Sequence, residues 1–219
     1  IRDSQYTAPR LSLGVNLYYM KYKDQLVPTG MVNDDSNALN TNVPDSYRRG
    51  VELSASWRAT GWFTVGANAT FSQNRIENYV DALKDSPTYG KELGDMTIAY
   101  SPDVIANAFL NFHHRGFEAV FHTQHVGKQY FTNNENDALS LDAYCVTNLN
   151  LAYTFRTRTA RSVRLGLLIN NLFNAEYESN GYGYSYMDTW SGPAPVRIDE
   201  AYYFPQAPLN VLANVTVKF

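Results

Sequence analysis

The sequence predicts an all-β chain whose antiparallel strands form the wall of a transmembrane β-barrel. Three observations carry this prediction. Apolar residues recur at every second position in eight separate segments. The connections between those segments alternate strictly between short and long. Charge divides along the same line, with acids in the long connections and bases at the short ones.

The strands follow in order. Leu11, Leu13, Val15, Leu17 and Tyr19 alternate with Ser12, Gly14, Asn16 and Tyr18. Val51, Leu53, Ala55 and Trp57 alternate with Gly50, Glu52, Ser54 and Ser56, and Phe63, Val65, Ala67, Ala69 and Phe71 with Thr64, Gly66, Asn68 and Thr70. Segments 104–112, 117–121, 149–155 and 163–169 repeat the pattern. The last strand carries Leu209, Val211, Ala213, Val215, Val217 and Phe219 in one phase. Successive side chains on a strand point to opposite faces, so each segment has one apolar face and one small or polar face. No comparable helical period occurs.

Short turns are expected at Ala59-Thr60-Gly61, at His113-His114-Arg115-Gly116 and near 156–161. Long external loops are expected at about 24–46, 80–100, 130–142 and 175–206. The long segments hold 16 of the 21 acidic residues but only Lys84, Lys91 and Arg197 of the 18 basic ones. Bases collect at the turns instead, as Arg58, Arg115, Arg156, Arg158, Arg161 and Arg164. The two ends of the sheet therefore meet different surroundings, as the two sides of an outer-membrane barrel do.

Composition excludes several alternatives. A net charge of −3 over 219 residues removes any general attraction for nucleic acid, which is not expected as a partner. Cys145 is the only cysteine, so no internal disulfide or multi-cysteine metal site can form. No run of about 18 apolar residues is present, which rules out a transmembrane helix. The chain opens Ile1-Arg2-Asp3, without an initiating methionine, and reads as a mature product or a fragment. A soluble β-sandwich shares the alternation. It fits poorly with the many Ala and Tyr at apolar positions, and with Asn68, Asn107, Asn111, Asn148, Asn150, Asn170 and Asn210 on the other face. Tyr19, Tyr22, Trp57, Trp62 and Tyr153 recur near strand ends, where amphipathic rings sit at lipid headgroups.

Candidate chemistry is sparse. His122 and His125 are three apart on a strand and point to opposite faces, so a chelating cluster is not expected. Asn33-Asp34-Asp35-Ser36-Asn37 offers oxygens for a hard cation, and Asp34 and Asp35 are the candidate ligands for a loop-bound calcium. The stretch lacks the spacing of an EF-hand loop and equally suits a plain turn. The last long segment holds Tyr182, Tyr184, Tyr186, Trp190, Tyr202 and Tyr203, rings that either stack on a ligand or pack the loop. Glu52, Glu118 and Lys128 read as hydrated lumen charges. No Gly-x-Ser-x-Gly elbow, HExxH or P-loop pattern occurs, and neither enzymatic activity nor a resident cofactor is expected.

Several stretches resemble the C-terminal part of TonB-dependent outer-membrane receptors, particularly those of Bacteroidetes. They include Asn16-Leu17-Tyr18-Tyr19-Met20-Lys21-Tyr22-Lys23-Asp24-Gln25-Leu26, Ser46-Tyr47-Arg48-Arg49-Gly50-Val51-Glu52-Leu53 and Val126-Gly127-Lys128-Gln129-Tyr130. Ser140-Leu141-Asp142-Ala143-Tyr144, Asn170-Asn171-Leu172-Phe173-Asn174, Phe204-Pro205-Gln206-Ala207-Pro208 and the closing Val215-Thr216-Val217-Lys218-Phe219 complete the set. The resemblance implies the last eight strands of a barrel of about 22, with the N-terminal plug absent from this sequence. It implies active uptake of a scarce nutrient, first an iron chelate such as a siderophore or haem, then cobalamin, and last an oligosaccharide. Implied partners are outer-membrane lipid and lipopolysaccharide, the TonB–ExbB–ExbD complex acting through the plug, and a surface lipoprotein over the loops. Val215, Val217 and Phe219 resemble the signal read by the outer-membrane assembly machinery. The alternative is a passive porin or small structural barrel, in which residues 9–22 would pair with 207–219.

Overall fold

The computed structural model describes residues 10–33 and 37–219. Thirteen strands occur among them: β1 (Leu11–Val32), β2 (Ala38–Arg58), β3 (Phe63–Ile76), β4 (Met96–Thr97), β5 (Val104–His114), β6 (Phe117–Val126), β7 (Gln129–Tyr130), β8 (Ser140–Leu141), β9 (Tyr144–Phe155), β10 (Ser162–Asn170), β11 (Glu178–Asp188), β12 (Val196–Pro205) and β13 (Asn210–Lys218). The eight long alternating strands form one antiparallel path, β1-β2-β3-β5-β6-β9-β10-β13, and β4 extends it beside β3. The hairpins β7–β8 and β11–β12 stand apart from that sheet.

Among the described residues β1 pairs only with β2, and β13 only with β10. The self-closed eight-strand alternative required these two strands to meet, and they do not. The sheet is an open arc with two unpaired edges, which a larger barrel would complete.

Register fixes which residues share a face. One row runs Leu13, Ala55, Ala67, Ala108, Thr123 and Thr147, and the next runs Gly14, Ser54, Asn68, Asn107 and Gln124. On the polar face Asn107 donates to Asn68 at 3.1 Å and Asn16 to Glu52 at 3.0 Å. Leu13, Val15 and Leu17 are each about 70 % exposed on the apolar face. Among the described residues no second layer covers them, so this face is built for an apolar surrounding.

Aromatic rings gather at the turn end of the sheet. Trp62 and Phe112 meet edge-on at 5.2 Å, Phe112 and Phe117 at 5.9 Å, and Tyr153 stacks on Phe155 at 5.9 Å. The β5–β6 turn is tighter than its sequence suggests, because β5 continues through both His113 and His114. Arg115 and Gly116 alone make it, with φ of 48° and 85°, the positive pair that a two-residue hairpin of right-handed twist needs.

The interior charges are partnered. Glu118 on β6 accepts two bonds from Arg164 on β10, at 2.7 and 2.8 Å, reaching across β9. Lys128 lies beyond the end of β6 and bonds Asp137, so it belongs to a long-loop segment and not to the strand wall. Glu118 is thus a half-exposed charge that is also paired, while Lys128 departs from the expected lumen position.

Buried residues concentrate at the long-loop end. Val27, Val43, Ile76, Tyr79 and Ile98 form one cluster, supported by Leu93 and Met96. Burial, with Asp81 nearby, pushes the Tyr79 phenol up to about 12. Phe131, Leu139 and Leu141 form a second, with Ala201 against it. These small cores explain why the long segments are ordered by strands. Segment 24–46 is largely the continuation of β1 and β2, held because Val27 and Val43 bury against Ile76 and Ile98. Segment 175–206 likewise contains β11 and β12.

Candidate functional site

The β11–β12 hairpin derives its two faces from a strict alternation. Gly181, Gly183 and Ser185 alternate with Tyr182, Tyr184 and Tyr186 along β11. Opposite them on β12 stand Tyr203, Ala201 and Asp199 on the small side, and Tyr202, Glu200 and Ile198 on the aromatic side.

The small side docks. A Cβ on Gly181 would stand 2.7 Å from Phe131, and one on Gly183 2.9 Å from Leu139, so only glycine lets the hairpin lie flat on that cluster. Farther along, Ser185 donates to Asp199 at 2.6 Å, and Arg197 donates to both, at 2.8 Å to Asp199 and 3.0 Å to Ser185. Burial works to raise the Asp199 carboxyl, but the bonds from Ser185 and Arg197 outweigh it and hold the group below its ordinary value.

The aromatic side is a platform. Tyr182 and Tyr202 stack at 4.9 Å with 14° between ring planes, Tyr184 lies 6.4 Å from both Tyr202 and Tyr186, and Phe204 extends the row 6.1 Å from Tyr182. Three hydroxyls donate to one carboxylate: Tyr184 at 2.6 Å, Tyr202 at 2.9 Å and Tyr186 at 3.2 Å, all to Glu200. The bond from Tyr184, followed by that from Tyr202, holds Glu200 below the usual glutamate range, and the same bond to Glu200 raises the Tyr184 phenol well above its ordinary value.

A cavity of about 450 Å³ opens between this platform and the outer half of the β1–β2 hairpin. Tyr182, Gly183, Tyr184 and Tyr202 of the β11–β12 hairpin line it together with Tyr100, Phe131 and, from the β1–β2 hairpin, Pro28, Gly30, Met31, Val32, Ala38 and Leu39. No lysine or arginine is among these lining residues.

Four of the six aromatic residues singled out from sequence thus share one surface: Tyr182, Tyr184, Tyr186 and Tyr202. Tyr203 points to the docking side, its ring 5.8 Å from Phe131. Trp190 sits at the hairpin tip, 80 % exposed, its backbone N–H bonded to Asp188. Asp34 and Asp35 lie outside the described residues. Val215 and Val217 are on the apolar face of β13, and Phe219 follows it, exposed. Glu200, Tyr100 and Phe131 were not anticipated from sequence. Glu200 had a usable signal, since it falls opposite the middle tyrosine once the hairpin is registered. His125 pairs with Cys145 on the outer face and His122 with Asn148 on the inner, and no group of three His, Cys, Asp or Glu converges among the described residues.

A family model described as "TonB dependent receptor-like, beta-barrel" matches residues 1–172. The chain belongs to that family. As a TonB-dependent receptor barrel it is similar to solved structures of the same architecture. The ferric yersiniabactin uptake receptor FyuA from Yersinia pestis aligns with 98 % of this chain at 19 % identity and a TM-score of 0.65. The ferric-catecholate import receptor Fiu from E. coli K12 aligns with 96 % at 18 % identity and a TM-score of 0.62. The copper transporter OprC aligns with 98 % at 19 % identity and a TM-score of 0.63. This chain spans only 28 %, 26 % and 30 % of those three chains respectively, and corresponds to a C-terminal portion of the barrel. TonB-dependent receptor barrels are outer-membrane transport receptors and not enzymes, and the family works with TonB.

Proposed function

We propose that this chain forms part of an outer-membrane receptor that actively imports a scarce nutrient, with an iron chelate such as a siderophore or haem as first candidate and cobalamin as second. The observation that carries this reading is the aromatic cavity at the long-loop end of a TonB-dependent receptor wall. A site there meets incoming ligand before the barrel lumen does. Solved neighbours named for ferric-catecholate import and ferric yersiniabactin uptake support iron, while one named a copper transporter keeps other metal complexes in view.

In this reading the open arc is completed by further strands, and energy arrives from the TonB–ExbB–ExbD complex through a plug domain. Tyr182, Tyr184, Tyr186 and Tyr202 contact the ligand, and Trp190 and Tyr203 support the loop. The apolar face meets outer-membrane lipid and lipopolysaccharide, and Val215, Val217 and Phe219 engage the assembly machinery. A surface lipoprotein above the loops and a calcium at Asp34 and Asp35 complete the proposal.

The test is uptake by whole cells carrying the full-length receptor. Iron supplied as labelled siderophore or haem should enter in a manner that requires both the receptor and TonB. Uptake of every chelate, and of labelled cobalamin, unchanged by loss of the receptor would overturn the proposal.

A further inference from the structure

Within the cavity, the direction of the hydrogen bonds says more than the rings alone. Tyr184 and Tyr202 both spend their hydroxyl protons on Glu200, and Tyr100 donates to the Gly181 carbonyl at 3.4 Å. A phenol whose proton is committed can only accept a further bond. Three of the four tyrosines lining the cavity therefore face a ligand with oxygen lone pairs and with the electron-rich faces of their rings.

Charge points the same way. Glu200 stands on the same face as the tyrosines as a carboxylate that accepts their hydroxyls, and among the described residues no lysine or arginine lines the space. The nearest base in the hairpin, Arg197, is on the opposite face and committed to Asp199 and Ser185. Around the site, the four long segments hold 16 acidic residues against three basic ones. Such a field draws cations toward the external mouth and repels anions. The lining residues that the β1–β2 hairpin contributes, Pro28, Gly30, Met31, Val32, Ala38 and Leu39, are apolar or small.

We propose that this cavity takes a cationic or neutral ligand through a flat apolar face, and discriminates against anionic chelates. The inference rests on the reading of the cavity as a ligand site and narrows its chemical class. An anion here would lose its hydration and find, among the four lining phenols, only the Tyr182 hydroxyl left to donate, whereas a cation gains the ring faces and the oxygen acceptors.

The experiment uses the full-length receptor in detergent and two iron complexes of similar shape and opposite charge, followed by titration calorimetry. Tris(2,2′-bipyridine)iron(II) is a dication with flat aromatic ligands, and tris(catecholate)iron(III) is a trianion. The dication should bind about tenfold or more tightly than the trianion at low salt. Glu200→Gln should shrink that preference several-fold, and Tyr202→Phe, which keeps the ring and removes the hydroxyl, should shrink it less. A trianion that binds equally or more tightly, and is weakened by Tyr182→Ala, overturns the charge class while leaving the ligand site standing. If neither complex binds, or if Tyr182→Ala and Tyr202→Ala leave both affinities unchanged, the ligand-site reading itself falls.

Discussion

Gly181 lies directly against Phe131: a Cβ added to the glycine would stand 2.7 Å from the ring's Cζ. This contact joins the β11–β12 hairpin to a core built from a different loop, and it sets the height at which the tyrosine platform faces the cavity. Replacing Gly181 with Val must lift the hairpin or displace the ring. Overpacking of this kind costs about 1–3 kcal/mol. The expected result is faster proteolysis within residues 175–206, read by limited digestion, with the barrel strands still protected.

The platform should also respond to pH at both extremes. Glu200 is depressed by the hydroxyls it accepts, so its contribution is present above the ordinary glutamate range and is lost as pH falls through the depressed value. Tyr184 is raised, so its contribution is complete below the ordinary tyrosine range and is lost as pH rises through the raised value. Amide exchange of β11 and β12, corrected for intrinsic rates, should be flat between about pH 5 and about pH 9 and rise on either side. Glu200→Gln should remove the acid limb.

Phase along β9 can be tested by neighbouring substitutions. Leu151 shares the outward row with Ala119 and Leu167, while Asn150 shares the polar face with Val120 and Leu168. Leu151→Arg should cost about 2–4 kcal/mol at mid-bilayer, and Asn150→Arg much less. Equal costs in a lipid-refolding titration would refute the assigned faces.

The Glu118–Arg164 pair is half-exposed to the lumen, and its two-point geometry does not rescue it from solvent. A double-mutant cycle with Glu118→Gln and Arg164→Gln should return about 1 kcal/mol or less of coupling. A larger value would mean that the full barrel buries this pair.

Residues 215–219 offer a cellular test. Phe219→Ala and Val217→Asn should lower the amount of receptor reaching the outer membrane while leaving the ligand affinity of the assembled fraction unchanged. Normal surface levels in both variants would remove the assembly role.

Much of the wall was legible in the chain. Period-two alternation located the eight strands and their faces, because a single sheet in lipid leaves one face apolar and the other polar along each strand. The extensions were not legible. Val27 and Val43 look like ordinary loop residues until Ile76 and Ile98, far along the chain, bury them. The β11–β12 hairpin was half-visible: the Gly-Tyr alternation marked its rings, but Asp199 and Glu200 made β12 resemble a polar loop. Each acid has a partner only once the register puts Ser185 and Tyr184 opposite. Tyr203 shows the same dependence, since its side of the strand is decided by the pairing with Gly181.

The central claim is that these strands are an arc of a larger barrel whose long-loop end presents the tyrosine cavity. A density map of the intact receptor from its native membrane, traced well enough to assign strand neighbours, tests it most directly. The account predicts that residues 11–32 and 210–218 each hydrogen-bond to strands outside this segment, with the β11–β12 hairpin over the external mouth. Residues 11–22 paired instead with 210–218 in a closed eight-strand barrel would contradict it.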